Sequence, residues 1–365
     1  NPGWDKVIEN LSKIPVISLA LGPVAGLGAA RLVSSHYSIM VRKVSQVFVA
    51  GPPLVEKIGE KVTKEELGGS EVHGSNGVID DIAENEVEAM EMAKKFLSFM
   101  PSSIHNLPKK EISKDDPIRK DEFLLSTIPK NKRESYDILP IVKSVVDKNS
   151  FFELGKKYGL SVITGLARLD GFPIIVLANN PQVYGGGWTT NSCKKIIKIM
   201  DLAQVFHFPI LNFVDNPGFI IGKNAEKDGT IKYGAKALAA MYQFKNPMCS
   251  IILRKVFGVA GAAHTNHMNF KFRFAWPSAD TGSLPFEGGI EAAYKSEISQ
   301  SKDPDKFIKD KYVKLNSLTS PFRTAEKFLL ENIIDPRDTR KEACIWIRLA
   351  YKKLKTGSSS FGYRP

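Results

Sequence analysis

The feature that most constrains this chain is the near-repetition of one short segment in its two halves. Residues 15–30 read proline, an apolar run (VISLALGP), Val24-Ala25-Gly26, and then Leu27, Gly28, Ala29 and Ala30. Residues 247–263 read proline, an apolar run (MCSIILRKVFG), Val259-Ala260-Gly261, and then Ala262 and Ala263. Each is a buried-strand pattern entering a glycine and then small or apolar helix-compatible residues. Aligning the two VAG triplets pairs Gly26 with Gly261. A unit repeated in this way across 365 residues predicts two copies of one fold, each with a strand–glycine–helix turn.

The remaining pattern fits α/β units. In the first half, helices are expected at 5–13, 29–34 and 84–98, with strands at 14–22 and 45–53. In the second half, 161–179 reads as two strands around an Asp170-Gly171 turn. Helices follow at 193–206 and 231–244, and buried strands at 209–219 and 247–256. Between the halves, Pro108, Pro117, Pro129 and the run KKEISKDDPIRKDE read as a solvated linker over 106–135. The expected division is therefore 1–105, linker 106–135, and 136–365.

Composition excludes several classes. Apolar residues are 43% and charged residues 25%, so wholesale disorder is excluded. No apolar run is long enough for a membrane-spanning helix. The net charge of +12 suits acidic ligands, but the basic residues are scattered and no RNA-binding motif occurs, so no nucleic acid partner is expected. Cys193, Cys249 and Cys344 are isolated, which excludes a cysteine zinc ribbon and suits a reducing compartment. The chain opens Asn1-Pro2-Gly3-Trp4, with neither methionine nor a signal-peptide pattern, as a fragment of something longer would.

Where a strand enters a helix, glycine lets the backbone approach a ligand, and the first-turn N–H groups point outward. Such amides hold phosphates or enolate oxygens. The first turn is not a dinucleotide fingerprint, because Arg31 stands where Gly or Ala is required. No phosphate-binding P-loop and no GxSxG occur. His264 and His267 lack a third ligand, so no metal is expected, and they are read as lining or flanking a pocket. Asp215-Asn216-Pro217-Gly218 reads as a turn, with a structural and a functional role equally open. Gly185-Gly186-Gly187-Trp188 reads as a surface loop. What remains is two backbone-amide sites and no evident side-chain nucleophile or base.

These residues resemble a known family, the carboxyltransferase (β) subunits of biotin-dependent acyl-CoA carboxylases, the propionyl-CoA and methylcrotonyl-CoA carboxylase group. The resemblance runs through IPVISLALGPVAGLGAA (14–30), VTKEELGGSEVHGSNGVIDDIAENEVEA (62–89), FFELGKKYGLSVITGLARLDGFPIIVLANNP (151–181), NSCKKIIKIMDLAQVFHFPILNFVDNPGFIIG (191–222) and FAWPSADTGSLPFEGGIEAA (274–293). It implies two crotonase-like ββα-spiral domains in tandem, the first N-terminally incomplete. It implies an acyl-CoA pocket mostly in the first domain and a biotin pocket in the second, joined across a subunit interface of an oligomer.

The implied activity moves CO2 from carboxybiotin to the α-carbon of an acyl-CoA, with biotin on a separate carrier protein. Biotin carboxylase and biotin carboxyl carrier subunits would be partners, in the cytoplasm or, in a eukaryote, the mitochondrial matrix. By the resemblance, the catalytic amides are Gly26 and Leu27 for the thioester and Val259 and Ala260 for biotin. Ala25, Gly28, Gly258, Gly261 and Ala262 would line the substrates. The sequence departs from the family with Leu27 where many members carry glycine, and with Phe257-Gly258-Val259-Ala260-Gly261-Ala262 where Tyr-Gly-Gly-Ala is frequent. A decarboxylase or transcarboxylase subunit, or a non-catalytic scaffold subunit, are the alternative readings.

Overall fold

The computed structural model describes residues 3–264, 270–283, 290–291, 293–360 and 362–363. Five strands lie in the first half: β1 (Ile17–Ala20), β2 (Val24–Ala25), β3 (Tyr37–Val41), β4 (Val47–Phe48) and β5 (Asp81–Ala83). Eight follow in the second: β6 (Phe152–Leu154), β7 (Val162–Leu169), β8 (Phe172–Asn179), β9 (Ile210–Asn216), β10 (Met248–Phe257), β11 (Lys271–Ala275), β12 (Asp280–Gly282) and β13 (Asn332–Ile333). The helices that matter below are α1 (Trp4–Leu11), α2 (Leu27–Val33), α3 (Glu86–Phe99), α4 (Thr190–Val205), α5 (Thr230–Gln243), α6 (Gly258–Ala262) and α7 (Thr339–Tyr351).

The repeat is written into the strand order. In the first half β1 pairs β3 and β3 pairs β5, all parallel. In the second half β10 pairs β11 and β11 pairs β13, all parallel. The short β2–β4 pair is matched by the end of β10 pairing β12. The second half extends this core with β9, β8, β7 and β6, in that order. At the β7–β8 hairpin Asp170 and Gly171 have φ of 51° and 79°, the left-handed pair that a tight two-residue turn requires.

Strands β7 to β10 are buried on both faces, which explains their near-continuous apolar runs. Period-two alternation splits them between two cores. Ile174, Val176, Leu211 and Phe213 pack with Trp346 and Ile347 of α7. Ile175, Leu177 and Ile210 pack with Ile196, Met200 and Ala203 of α4. That second core continues into Tyr37, Ile39 and Val41 of β3 and Phe96 and Phe99 of α3, so the halves share one apolar layer. Helix α4 begins three residues before the expected 193, because Thr189 and Ser192 form a reciprocal capping box.

The 106–135 segment is largely exposed, as its charge suggests, but it is fastened to the second half and not free. It contains a single 3-10 turn (Glu122–Leu125) and is strapped along the second half. Glu111 N–H donates to Gly171 O at 3.0 Å, and Arg340 Nε donates to Asp116 O at 2.8 Å. Arg340 is 2% exposed and also bonds Asp147 at 2.8 Å, while Asp115 pairs with Arg119 and Arg340. Several of the charges read as solvation, Asp115 and Arg119 among them, are therefore cross-links. Among the described residues, no helix is long and apolar enough to cross a membrane.

Candidate active site: two uncapped backbone-amide turns

At the first turn β2 delivers the chain to Gly26, which has φ 58° and ψ −124°, a conformation open essentially to glycine alone. The Gly26 N–H is already used, donating to Phe48 O at 3.2 Å, and Gly26 O accepts from Ala30 N at 3.0 Å. Helix α2 then starts at Leu27 with no side-chain cap. The first-turn N–H groups of Leu27 and Gly28 have no intrahelical acceptor available to them and are left for a ligand. Gly26 thus contributes its dihedral angles and not its amide. Ala25, Gly26, Leu27 and Gly28 are all exposed, and a Cβ on Gly26 would meet nothing within 4 Å.

The second turn repeats this with a corrected register. Strand β10 ends at Phe257, and the glycine with positive φ (63°) is Gly258, the first residue of α6. The partner of Gly26 is therefore Gly258, three residues before the Gly261 that the VAG alignment selects. Gly261 is buried inside α6, where a Cβ would lie 2.9 Å from the Val256 carbonyl carbon. Ala260 is fully buried in the central core. No side chain caps α6, which leaves the first-turn amides of Val259 and Ala260 without an intrahelical acceptor. Ala262 is exposed at the far end, its carbonyl accepting from Tyr242 Oη at 3.0 Å. The matched residues Leu27 and Val259 are 49% and 59% exposed, so an aliphatic side chain stands beside each free amide.

The surroundings of the second turn are more tightly built than the sequence suggests. The Gly185–Trp188 segment is not a surface loop. Trp188 is fully buried, Gly186 packs on Asp215 O with no room for a Cβ, and Trp188 N donates to Gly218 O at 3.0 Å. The Asp215–Gly218 turn takes the structural role. Asp215 is fully buried and accepts from Arg254 Nε at 3.0 Å, Tyr136 Oη at 2.8 Å and Lys255 N at 3.0 Å. Burial pushes its carboxyl up, and the Arg254 guanidinium opposes that shift. Arg254 also bonds Glu134 O at 2.7 Å, tying the strap to the site. Arg254→Leu would leave the carboxylate buried without its counter-charge, and about 3–5 kcal/mol of stability should be lost in urea unfolding.

His264, read as lining or flanking a pocket, is buried beside the second turn, and His267 lies outside the described residues. His264 follows α6 directly and is buried, with Asn212 Nδ2 2.9 Å from Nδ1 and Asn216 Nδ2 3.0 Å from Nε2. A neutral imidazole carries one N–H, so one of these amides must present its oxygen. Asn212 is that one, because the Asn216 oxygen already accepts from Gly218 N at 2.9 Å and so leaves Asn216 Nδ2 to donate to Nε2. Burial pushes His264 down to about 3, and burial likewise takes His36 to about 4. Both folded values lie below the ordinary value near 6.5, so the stability from the neutral rings is complete above that pH and is lost as pH falls through 4 to 3. Imidazole NMR shifts of both residues should stay constant from pH 8 to about 5. Titration near 6.5 would contradict their burial.

A cavity of about 770 Å³ is lined by neither turn.

Comparison with known proteins supplies the family. The carboxyl transferase domain family matches residues 6–361. The propionyl-CoA carboxylase carboxyltransferase subunit of Haloferax mediterranei is 30% identical over 348 residues, covering 94% of this chain and 67% of that protein. The methylmalonyl-CoA decarboxylase subunit alpha of Veillonella parvula is 33% identical over 347 residues, covering 93% of this chain and 66% of that one. A transcarboxylase 12S crystal structure, a hexamer with methylmalonyl-coenzyme A and methylmalonic acid bound, superposes with a TM-score of 0.91 at 28% identity, covering 99% of this chain and 70% of its own. The chain spans about two thirds of the length of these curated relatives. With this fold, the paired turns and a family match over nearly its whole length, the chain belongs to the carboxyl transferase domain family of the biotin-dependent acyl-CoA carboxylases and has its crotonase-like fold.

Proposed function

We propose that this chain is the carboxyltransferase component of a biotin-dependent acyl-CoA carboxylase. The observation that carries the reading is the matched pair of uncapped helix starts, each behind a glycine held at positive φ. The residues fit the groups such a reaction needs. A thioester enolate and a ureido group each present an oxygen, and each turn starts a helix whose first amides have no side-chain cap competing for that oxygen. Residues 1–105 would carry the acyl-CoA side and residues 136–365 the biotin side.

On this reading Leu27 and Gly28 donate to the thioester oxygen and stabilise negative charge as the α-proton leaves. Amides suit the task because they are preorganised and keep their protons at every working pH. One such donor is typically worth about 3–4 kcal/mol in the transition state. Val259, with Ala260 behind it, donates to the ureido oxygen of biotin. Carboxybiotin, when bound there, supplies the carboxyl group and a ureido base for the α-proton. The Leu27 and Val259 side chains shield the reacting carbon from water. Biotin carboxylase and the carrier domain would come from other polypeptides, and the two turns would meet between copies of the chain.

The methylmalonyl-CoA decarboxylase relative shows that the family also contains members named for the opposite direction. The assembled protein is tested with acyl-CoA plus a carboxylated carrier, and separately with carboxylated acyl-CoA plus uncarboxylated carrier. Carboxyl transfer in either arm supports the reading, and the faster arm gives the direction. Acyl-CoA binding without transfer in either arm, or no acyl-CoA binding by calorimetry, would overturn it in favour of a scaffold role.

A further inference from the structure

The about 770 Å³ cavity lies between the first half and helices α4 and α5, away from both amide turns. Its volume falls in the range of small-molecule sites. Four lysines line it: Lys194, Lys195 and Lys198 from α4, and Lys236 from α5. Asp80 is the lining carboxylate among the described residues, and it is already bonded to Lys198 Nζ at 2.7 Å. Lys194 and Lys236 have no carboxylate partner among the described residues. Both ammonium groups instead sit against the Tyr233 ring, 4.6 and 5.0 Å from its centre. Two like charges converging on one ring at a cavity mouth repel each other unless an anion joins them.

The floor carries the second, independent observation. Lys195 is only 8% exposed, and its Nζ donates to Gly155 O and Val162 O, each at 2.9 Å. An ammonium has three donors, so one is left over, and no carboxylate lies within bonding distance of it among the described residues. A buried cation in this position is costly, and Glu153, Asp81 and Asp80 offset that cost only through space, with none bonded to it. Burial pulls its pKa down to about 8.

We propose that this cavity binds a diphosphate-bearing anion, with one phosphate bridging Lys194 and Lys236 at the mouth and the other completing the donor set of Lys195. Phosphate oxygens accept from several ammonium groups at once, which a single carboxylate does less well. Two sources carry that chemistry, a free nucleoside diphosphate and the phosphate end of a CoA thioester.

The test is calorimetric titration of the intact protein with pyrophosphate and with ADP, and it needs no turnover. Both should bind, and the affinity should fall as salt rises. The Lys194→Ala/Lys236→Ala double variant changes two exposed residues without ion-pair partners, so its fold is kept, and it should bind about tenfold more weakly. Lys195→Met, checked for folding by circular dichroism, should lose binding further. Displacement of ADP by CoA assigns the site to the thioester, and its absence assigns it to a free nucleotide. No binding of either probe at about 5 mM, or binding unchanged in the double variant, would overturn the proposal.

Discussion

Gly26→Val should lower carboxyl transfer by about 10²–10³-fold while leaving the protein folded. The reason is conformational. A β-branched residue cannot hold φ 58° with ψ −124°, so the turn must rotate and carry the Leu27 and Gly28 amides away from the thioester oxygen. No atom lies within 4 Å of the added Cβ, so nothing in the core is displaced. The stability cost should be limited to about 1–3 kcal/mol of local strain. Circular dichroism and thermal unfolding check the fold, and turnover at saturating acyl-CoA checks the loss. Gly26→Ala should fall between wild type and the valine variant. Turnover unchanged in Gly26→Val would remove this turn from the reaction.

The second large effect separates two registers of the repeat. Gly258→Val should likewise reduce carboxyl transfer about 10²–10³-fold, because Gly258 holds the positive φ before the Val259 amide. Its Cβ would sit at an ordinary 3.5 Å from Ser283 O, so the protein should fold and retain acyl-CoA binding at the other turn. Gly261→Val should behave differently. Its Cβ would be forced to 2.9 Å from the Val256 carbonyl carbon, inside the core, and about 1–3 kcal/mol of stability should be lost through overpacking. Comparison of unfolding midpoints with turnover for the two variants checks this. A Gly261→Val protein of normal stability and no activity, beside an active Gly258→Val, would restore the VAG pairing.

Much of the fold is legible in the residues, for identifiable reasons. The apolar runs of β7 to β10 stand out because both faces of those strands are covered, and Asp170-Gly171 announces its hairpin because few other pairs tolerate two left-handed residues. The repeat is visible because each strand must enter its helix through small residues. Its register is not visible, because three residues is nearly one helical turn and VAG offers a better letter match than the positive φ of Gly258. Charge misleads at 106–135, where Asp115 looks like a solvated residue but pairs not only with its neighbour Arg119 but also with Arg340 from across the fold, a contact no local pattern encodes. The burial of His264 and Trp188 is missed for a related reason. Their partners, Asn212, Asn216 and Gly218, are brought to them by strand pairing and not by sequence proximity. Nothing in the sequence marks Phe48, whose carbonyl removes the Gly26 amide from the list of free donors.

The central claim is that main-chain N–H groups perform the electrostatic work of the reaction, and it can be tested by deleting one atom group. Replacing Leu27 by its α-hydroxy acid puts an ester oxygen where the N–H was and keeps the side chain and the turn. That N–H has no intrahelical acceptor, and the ester weakens only the Gly26 carbonyl that accepts from Ala30 N, so the stability lost should not exceed about 1 kcal/mol. Turnover at saturating acyl-CoA should fall about 10²–10³-fold. Turnover equal to that of the unmodified protein would contradict the account.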